Sequence, residues 1–182
     1  MSNLNPLLDR NRAFVGNGHE VLSPLPNHQL FIVTCMDGRV DPAHFLGVGL
    51  GDALVIRNAG GRVTDEVVDE IVFIATVTET MLGDEAQPFE VAVVHHTGCG
   101  TGLLADDAFR TAYATRLGVD ESVFRHKAVT EPEASVRADV ELLRTSAVLP
   151  TSVSVSGHVY DLDTGVVATV VAPLTSTHDA PR

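Results

Sequence analysis

The sequence predicts an α/β protein with a mainly parallel central sheet, flanked by helices and completed by an antiparallel edge hairpin. Short apolar runs alternate along the chain with segments of helical periodicity, which is the order that builds parallel strands joined by helices. Late in the chain, two further apolar runs are separated only by a short polar segment that contains glycine, as is typical of a hairpin. With 182 residues, 45% of them hydrophobic and 20% charged, we expect residues 1–182 to form a single domain with a sizeable core.

The first part of the chain, residues 1–26, stands apart from the predicted sheet. Its apolar side chains argue against a free tail, but prolines at positions 24 and 26 separate it from the first predicted strand. We therefore expect an arm that packs against another surface. At the other end of the chain, we expect residues 178–182 to fray.

Three apolar runs predict the parallel strands, at residues 30–34, 53–57 and 89–94. The second run is followed by Gly60 and Gly61, which permit a tight turn or a close backbone approach. We favour this interpretation over a phosphate-binding loop, because the segment lacks a full glycine-rich fingerprint.

Helical periodicity is clearest in residues 64–82, where Thr64 can cap the first turn. Residues 103–117 and 131–145 are also predicted helices. For the last of these, we expect Thr130 as the cap and Pro132 in the first turn. The two strands of the hairpin are predicted at 153–160 and 166–171.

The net charge of the chain limits the kinds of partner that it can bind. The chain has 12 Lys and Arg against 24 Asp and Glu, a formal net charge of -12, so the phosphate backbone of a nucleic acid would be repelled. No apolar run approaches the ~18 residues that a membrane span needs, and the N-terminus lacks the pattern of a secretory signal. We expect a cytoplasmic protein without a nucleic-acid or membrane partner. In that reducing compartment, its two cysteines should be free, catalytic or metal-bound.

Both cysteines lie where predicted strands end. Cys35 ends the first run, and His96 and Cys99 follow the third. Sites of α/β sheets lie beyond the carboxyl ends of the strands, and two thiolates with one imidazole suit zinc while leaving a fourth position for chemistry. His95 is the rival ligand, but neighbouring strand residues point to opposite faces and the three-residue step to Cys99 favours His96. We expect the other histidines to be surface or structural residues.

Two charged residues follow Cys35 closely. A carboxylate at Asp37 can accept a hydrogen bond from an oxygen on the metal and so orient that oxygen toward an electrophile. A free carboxylate beside zinc would instead become the fourth ligand and close the site. Arg39 can prevent this, because a bidentate ion pair would hold Asp37 ionised and turned away from the metal.

Three separate motifs follow one another along the chain: CMDGR at 35–39, GDALVIRNAGG at 51–61 and HHTGCG at 95–100, and a late GHVYDLDTG at 157–165 agrees with them. Together they resemble the β-class carbonic anhydrases, most closely the shorter bacterial type. The resemblance covers roughly residues 30–171. It implies an N-terminal helical arm that embraces a partner subunit, and hence a homodimer or a dimer of dimers.

The same resemblance implies one Zn²⁺ per chain, with Cys35, His96 and Cys99 as its ligands and Asp37 and Arg39 as the catalytic pair. The implied enzyme is a zinc lyase, a carbonate dehydratase that reversibly hydrates carbon dioxide to bicarbonate through a zinc-bound hydroxide. Two alternatives stay open: hydrolysis of carbon disulfide or carbonyl sulfide at the same site, as some family relatives perform, and a non-catalytic closed zinc site. Arg39 argues against the closed site.

The chain departs from the family's usual pattern near the predicted metal. Gly98 precedes Cys99 where an acidic or similar polar residue is common, and Thr101 stands where methionine is frequent. Gly38 and Leu54 are further departures, at positions that more often carry serine and a polar residue. None of these departures removes a predicted ligand, so we expect them to affect pocket shape and turnover rather than zinc binding.

Overall fold

The computed structural model describes residues 2–175, which form a five-stranded sheet with helices around it. The strands are β1 Leu30–Cys35, β2 Leu54–Asn58, β3 Glu90–His96, β4 Ser154–Tyr160 and β5 Val167–Thr175. The helices are α1 Asn5–Gly16, α2 Pro42–Phe45, α3 Asp65–Leu82, α4 Asp107–Leu117, α5 Ser122–Arg125 and α6 Pro132–Thr145. Short 3-10 turns cover Ala59–Gly61, Gly83–Glu85 and Gly100–Ala105. The tail expected to fray, residues 178–182, lies outside the described residues.

The strand order is β2-β1-β3-β4-β5, and only β5 runs antiparallel to its neighbour. The prediction of a mainly parallel sheet with an antiparallel edge hairpin is therefore confirmed. Because β1 and β3 are parallel neighbours, their carboxyl ends lie side by side at one edge of the sheet. The residues that leave those two ends are the predicted metal ligands.

One large apolar core lies between the sheet and the two longest helices. Alternate strand residues such as Phe31, Val33, Val91 and Val93 point to the same face, as the period of two requires. They pack with the apolar stripes of α3 and α6, namely Val67, Val68, Ile71, Val136, Val140 and Leu143. Burial of these side chains fixes the register of the strands, and with it the positions of the strand ends.

The helix starts agree with the sequence predictions except at two places. Thr64 caps α3 by accepting the main-chain N–H of Val67, as predicted. The predicted cap of α6 is wrong, because Pro132 is the first helical residue and Glu131 therefore takes the cap position without a side-chain bond. The predicted helix at 103–117 is also shorter than expected, because the side chain of Asp106 caps a new helix after the 3-10 turn.

The N-terminal residues form a helix that buries none of its side chains within the chain. Its apolar residues Leu7, Leu8, Phe14 and Val15 are each about half exposed. None of the helices in residues 2–175 is both long and apolar enough to cross a bilayer.

Candidate metal centre and active site

Three potential metal ligands converge beyond the ends of β1 and β3. The Sγ atoms of Cys35 and Cys99 lie 3.9 Å apart, and a ring nitrogen of His96 completes a group whose ligand atoms all lie within 4.8 Å of one another. All three residues are buried. The sequence placed these residues at separate strand ends, and the parallel pairing of β1 with β3 brings them together.

The donor set fits a zinc ion. Within the described residues, Nε2 of His96 is buried and has no hydrogen-bond partner, whereas Nδ1 lies 2.9 Å from the Thr97 carbonyl oxygen. If Nδ1 carries the proton and donates it to that carbonyl, Nε2 presents a lone pair toward the sulfurs. Two sulfurs and one imidazole nitrogen are ligands that Zn²⁺ prefers, and three ligands leave one tetrahedral position open.

The two thiols lie within hydrogen-bond distance of each other. Their mutual hydrogen bond is the main reason that the pKa of Cys35 is raised and that of Cys99 is lowered. Hydrogen bonds from the hydroxyl and the main-chain N–H of Thr101 lower the pKa of Cys99 further. A cation bound between the two sulfurs would favour the thiolate form of both, which is the form that ligates metals.

Asp37 and Arg39 form a bidentate ion pair beside these ligands. The Arg39 Nε donates to one carboxylate oxygen of Asp37 at 2.9 Å and Nη2 donates to the other at 2.6 Å, while the Arg39 main-chain N–H also donates at 2.9 Å. These bonds hold the pKa of Asp37 well below its usual range, so its carboxylate is ionised. Arg39 also donates to the Gly98 carbonyl oxygen at 3.2 Å, which ties the pair to the loop that carries Cys99.

Arg57 fixes the loop between Cys35 and Asp37. From the end of β2, its guanidinium donates to the carbonyl oxygens of Cys35 at 3.0 Å and Asp37 at 2.7 Å, and it lies 3.3 Å from the Asp41 carboxylate. Sequence reasoning assigned this residue no role. The signal that could have found it is its position at a strand end beside β1.

The Gly60–Gly61 turn packs directly behind Cys35. Gly61 has φ +65°, and a Cβ atom there would lie 2.9 Å from the Cys35 nitrogen and 2.9 Å from the Thr34 carbonyl carbon. Only glycine fits both this backbone conformation and this space. The prediction of a tight turn with a close backbone approach is confirmed.

Comparisons with known proteins agree with this geometry. The family described as carbonic anhydrase matches residues 30–167. Beta-carbonic anhydrase 1 of Mycobacterium tuberculosis is 31% identical over 140 residues, which cover 77% of this chain and 80% of that protein. The chain belongs to the β-carbonic anhydrase family. It is accordingly an enzyme of the lyase class, in a family of zinc enzymes.

Two further similarities, one to a solved structure and one to a curated enzyme, concern the fold and the substrate. A crystal structure of carbonic anhydrase from Streptococcus mutans superposes with a TM-score of 0.77 at 38% identity, covering 93% of this chain and 98% of that chain. A carbon disulfide hydrolase of Acidianus sp. is 28% identical over 161 residues, which cover 76% of this chain and 75% of that protein. The chain is therefore also similar to enzymes named for a sulfur substrate.

His95, the rival ligand, points away from the group of predicted metal ligands. It is fully buried, and its Nε2 lies 3.1 Å from the Gly61 carbonyl oxygen and 3.2 Å from a carboxylate oxygen of Asp139 on α6. Arg62 forms a bidentate pair with the same carboxylate at 2.7 and 2.8 Å. Sequence reasoning missed Asp139 and Arg62, because nothing in their local patterns indicates that the two residues meet.

The remaining histidines lie away from the metal group. His19, His28, His44 and His126 are exposed, and His158 is partly buried on β4. His178 lies outside the described residues.

Proposed function

We propose that this chain reversibly hydrates carbon dioxide to bicarbonate, with Zn²⁺ held by Cys35, His96 and Cys99. The supporting observation is the ion pair of Asp37 with Arg39. It directs the Asp37 carboxylate toward a guanidinium, so that the three-ligand set keeps an open position. When bound there, Zn²⁺ would lower the pKa of a water molecule and supply a nucleophile at neutral pH.

The residues of the chain orient this chemistry. Because Arg39 keeps the pKa of Asp37 low, Asp37 remains a hydrogen-bond acceptor throughout the neutral range. It can accept a hydrogen bond from the nucleophilic water, which fixes the direction of the attacking lone pair. Arg39 touches neither metal nor substrate in this scheme. It keeps Asp37 out of the ligand set, and its bond to Gly98 keeps both residues next to the Cys99 loop.

The substrate suits the charge of the protein. Carbon dioxide carries no net charge, so a formal charge of -12 does not oppose its capture. Its hydration yields bicarbonate and a proton, and the proton must pass to solvent or buffer before the next turnover.

Stopped-flow carbon dioxide hydration tests the proposal. Zinc-loaded wild type is compared with Asp37→Asn, Arg39→Met and the double variant, with zinc content measured in each. We expect each single variant to lose about 10²-fold or more in turnover with zinc near one per chain, because no ionised carboxylate is then held in place to orient the attacking atom. The double variant should be no worse than the worse single variant, since the two residues act as a unit.

The matched control is Asp163→Asn, an exposed carboxylate in the β4–β5 turn, which should leave turnover unchanged. A zinc-loaded wild type that hydrates no carbon dioxide would overturn the proposal. Hydrolysis of carbon disulfide or carbonyl sulfide by that protein would favour the second candidate, which the similarity to carbon disulfide hydrolases supports. Inactivity toward all three substrates would indicate a closed, non-catalytic zinc site.

We also propose that a second copy of the chain covers helix α1. Half-exposed apolar side chains along a helix that buries nothing in its own chain support a homodimer. Analytical ultracentrifugation of wild type and Leu8→Glu tests this. The wild type should sediment as a dimer or a dimer of dimers and the variant as a smaller species, whereas Leu117→Glu, at an equally exposed site on α4, should not change the assembly. A monomeric wild type contradicts the proposal.

A further inference from the structure

The hydroxyl of Thr101 lies against one of the two predicted sulfur ligands. Its Oγ1 is 3.1 Å from the Sγ atom of Cys99, and this is the only side-chain hydrogen bond of Thr101 within residues 2–175. A threonine hydroxyl donates one hydrogen and rotates to suit its partner, whereas a thiolate has only lone pairs to offer. Once Cys99 binds a metal as a thiolate, the hydroxyl must therefore be the donor and the sulfur the acceptor.

The two sulfurs differ in this respect. The Cys35 Sγ atom receives the main-chain N–H of Asp37 at 3.4 Å, and a main-chain N–H of Gly60 also stabilises its thiolate. No hydroxyl contacts it in the described part of the chain. Cys99 receives both the hydroxyl and the main-chain N–H of Thr101. The sulfur ligands therefore form an unequal pair, with the stronger set of hydrogen bonds on Cys99.

The surroundings of Thr101 keep its hydroxyl on the sulfur. A Cβ atom at Gly60 would lie 3.0 Å from the Thr101 Oγ1 atom, so the hydroxyl occupies space that only a glycine leaves free. Val129, which is 3% exposed, packs with Cys35 and Cys99 in one apolar cluster. In these apolar surroundings, a hydrogen bond to the sulfur is worth more than it would be in water.

We infer that Thr101 tunes the metal through Cys99: its hydroxyl donates to the thiolate, draws electron density from the metal–sulfur bond, and makes Cys99 a weaker donor than Cys35. A weaker donor leaves more positive charge on the ion, which raises its strength as a Lewis acid. Thr101 does not touch the substrate, so it is a positioning residue. The inference rests on the metal site proposed above.

Cobalt substitution gives a readout that is independent of activity. Co²⁺ bound by thiolates absorbs light by transferring an electron from sulfur to the metal, and a hydrogen bond to the sulfur raises the energy of that transfer. Thr101→Val keeps the shape of the side chain and removes the hydroxyl, so its charge-transfer band should move to longer wavelength. Thr101→Ser keeps the hydroxyl and should retain the wild-type band. Thr130→Val, at a threonine whose side chain lies beside Gly102, is the control and should also retain the wild-type band.

A further variant separates the hydroxyl from packing. Thr101→Ala also lacks the hydroxyl but cannot crowd the Gly60 turn. Equal shifts in the Val and Ala variants, absent in Ser, would support the inference. Wild-type bands in both Val and Ala, or unequal shifts that follow side-chain volume, would overturn it and leave the metal site intact. A wild type that binds Co²⁺ without any thiolate band would overturn the metal site itself, and the inference with it.

Discussion

Nε2 of His95 lies 3.2 Å from the carboxylate of Asp139. His95 directly precedes the predicted ligand His96 in the chain. The same carboxylate accepts both guanidinium bonds of Arg62 and the main-chain N–H of Val63 at 3.1 Å. Asp139 and His95 are almost completely inaccessible to water. Helix α6 is thereby joined to the end of β3 and to the segment after the Gly60–Gly61 turn, which are two of the elements that position the metal group.

Removing Asp139 should destabilise the whole fold. Asp139→Ala leaves the guanidinium of Arg62 with little solvent contact and without its carboxylate partner, since the Arg62 side chain is only 12% exposed. Breaking a buried pair in this way costs about 3–5 kcal/mol of unfolding free energy. Urea denaturation of the zinc-loaded protein measures the difference.

The Asp9–Arg12 pair provides the control for that experiment. Both side chains are more than 70% exposed on α1, so Asp9→Ala should not change the urea midpoint measurably. A loss below about 1 kcal/mol for Asp139→Ala would show that the buried network contributes no more than a surface pair does.

Gly61→Ala should disturb both stability and the metal group. The left-handed backbone alone costs roughly 1–2 kcal/mol with a side chain, and the clash with the main chain of Thr34 and Cys35 adds about 1–3 kcal/mol. Because the clash falls on the nitrogen of Cys35, we expect zinc affinity to fall as well. Denaturation and competition with a chelator measure the two effects.

Gly165→Ala isolates the backbone contribution. Gly165, in the turn between β4 and β5, also has a positive φ, of +74°. A Cβ atom there would have no neighbour within 4 Å. This variant should lose only the backbone cost and bind zinc as the wild type does. Equal losses of stability in the two glycine variants would contradict the close approach behind Cys35.

His158 should make stability depend on pH. Burial lowers the pKa of its imidazole, although the negative charge of Glu90 partly opposes the shift. The neutral ring is well paired, because Nε2 can donate to Ser156 at 2.9 Å while Nδ1 accepts from Thr169 at 3.2 Å. The Ser156 hydroxyl donates in turn to Glu90 at 2.7 Å.

The sign of this effect depends on the order of proton uptake. The unfolded chain, with a histidine pKa of about 6.5, takes up the proton first as the pH falls. The contribution of His158 to stability is therefore complete above about pH 6.5 and is lost as the pH falls through the lower pKa of the folded state. As the pH is lowered across this range, the unfolding free energy should fall less steeply for His158→Gln than for the wild type. His44→Gln controls for the loss of an exposed imidazole, and equal slopes for wild type and His158→Gln would contradict the prediction.

Much of the fold could be predicted because it depends on local patterns. Strand alternation, the cap at Thr64 and the paired glycines each act within a few residues, so periodicity and composition report them. The two corrections concern helix starts. At both places the sequence offers neighbouring starts that differ by a few residues, and helix boundaries are the least certain part of a prediction from periodicity.

The sequence by itself determined the alternation of strands and helices and the presence of Cys35, His96 and Cys99 at strand ends. It also determined the pairing of Asp37 with Arg39, because a spacing of two residues allows direct contact. Only the tertiary structure decided that β1 lies beside β3, that Arg57 and Asp139 support the loops around the site, and that the Thr101 hydroxyl reaches one sulfur and not the other. The physical reason is that these contacts join elements far apart in the chain or depend on the direction of a side chain. Burial of the core fixes both the pairing of distant elements and the side-chain directions, and that burial is a property of the whole fold.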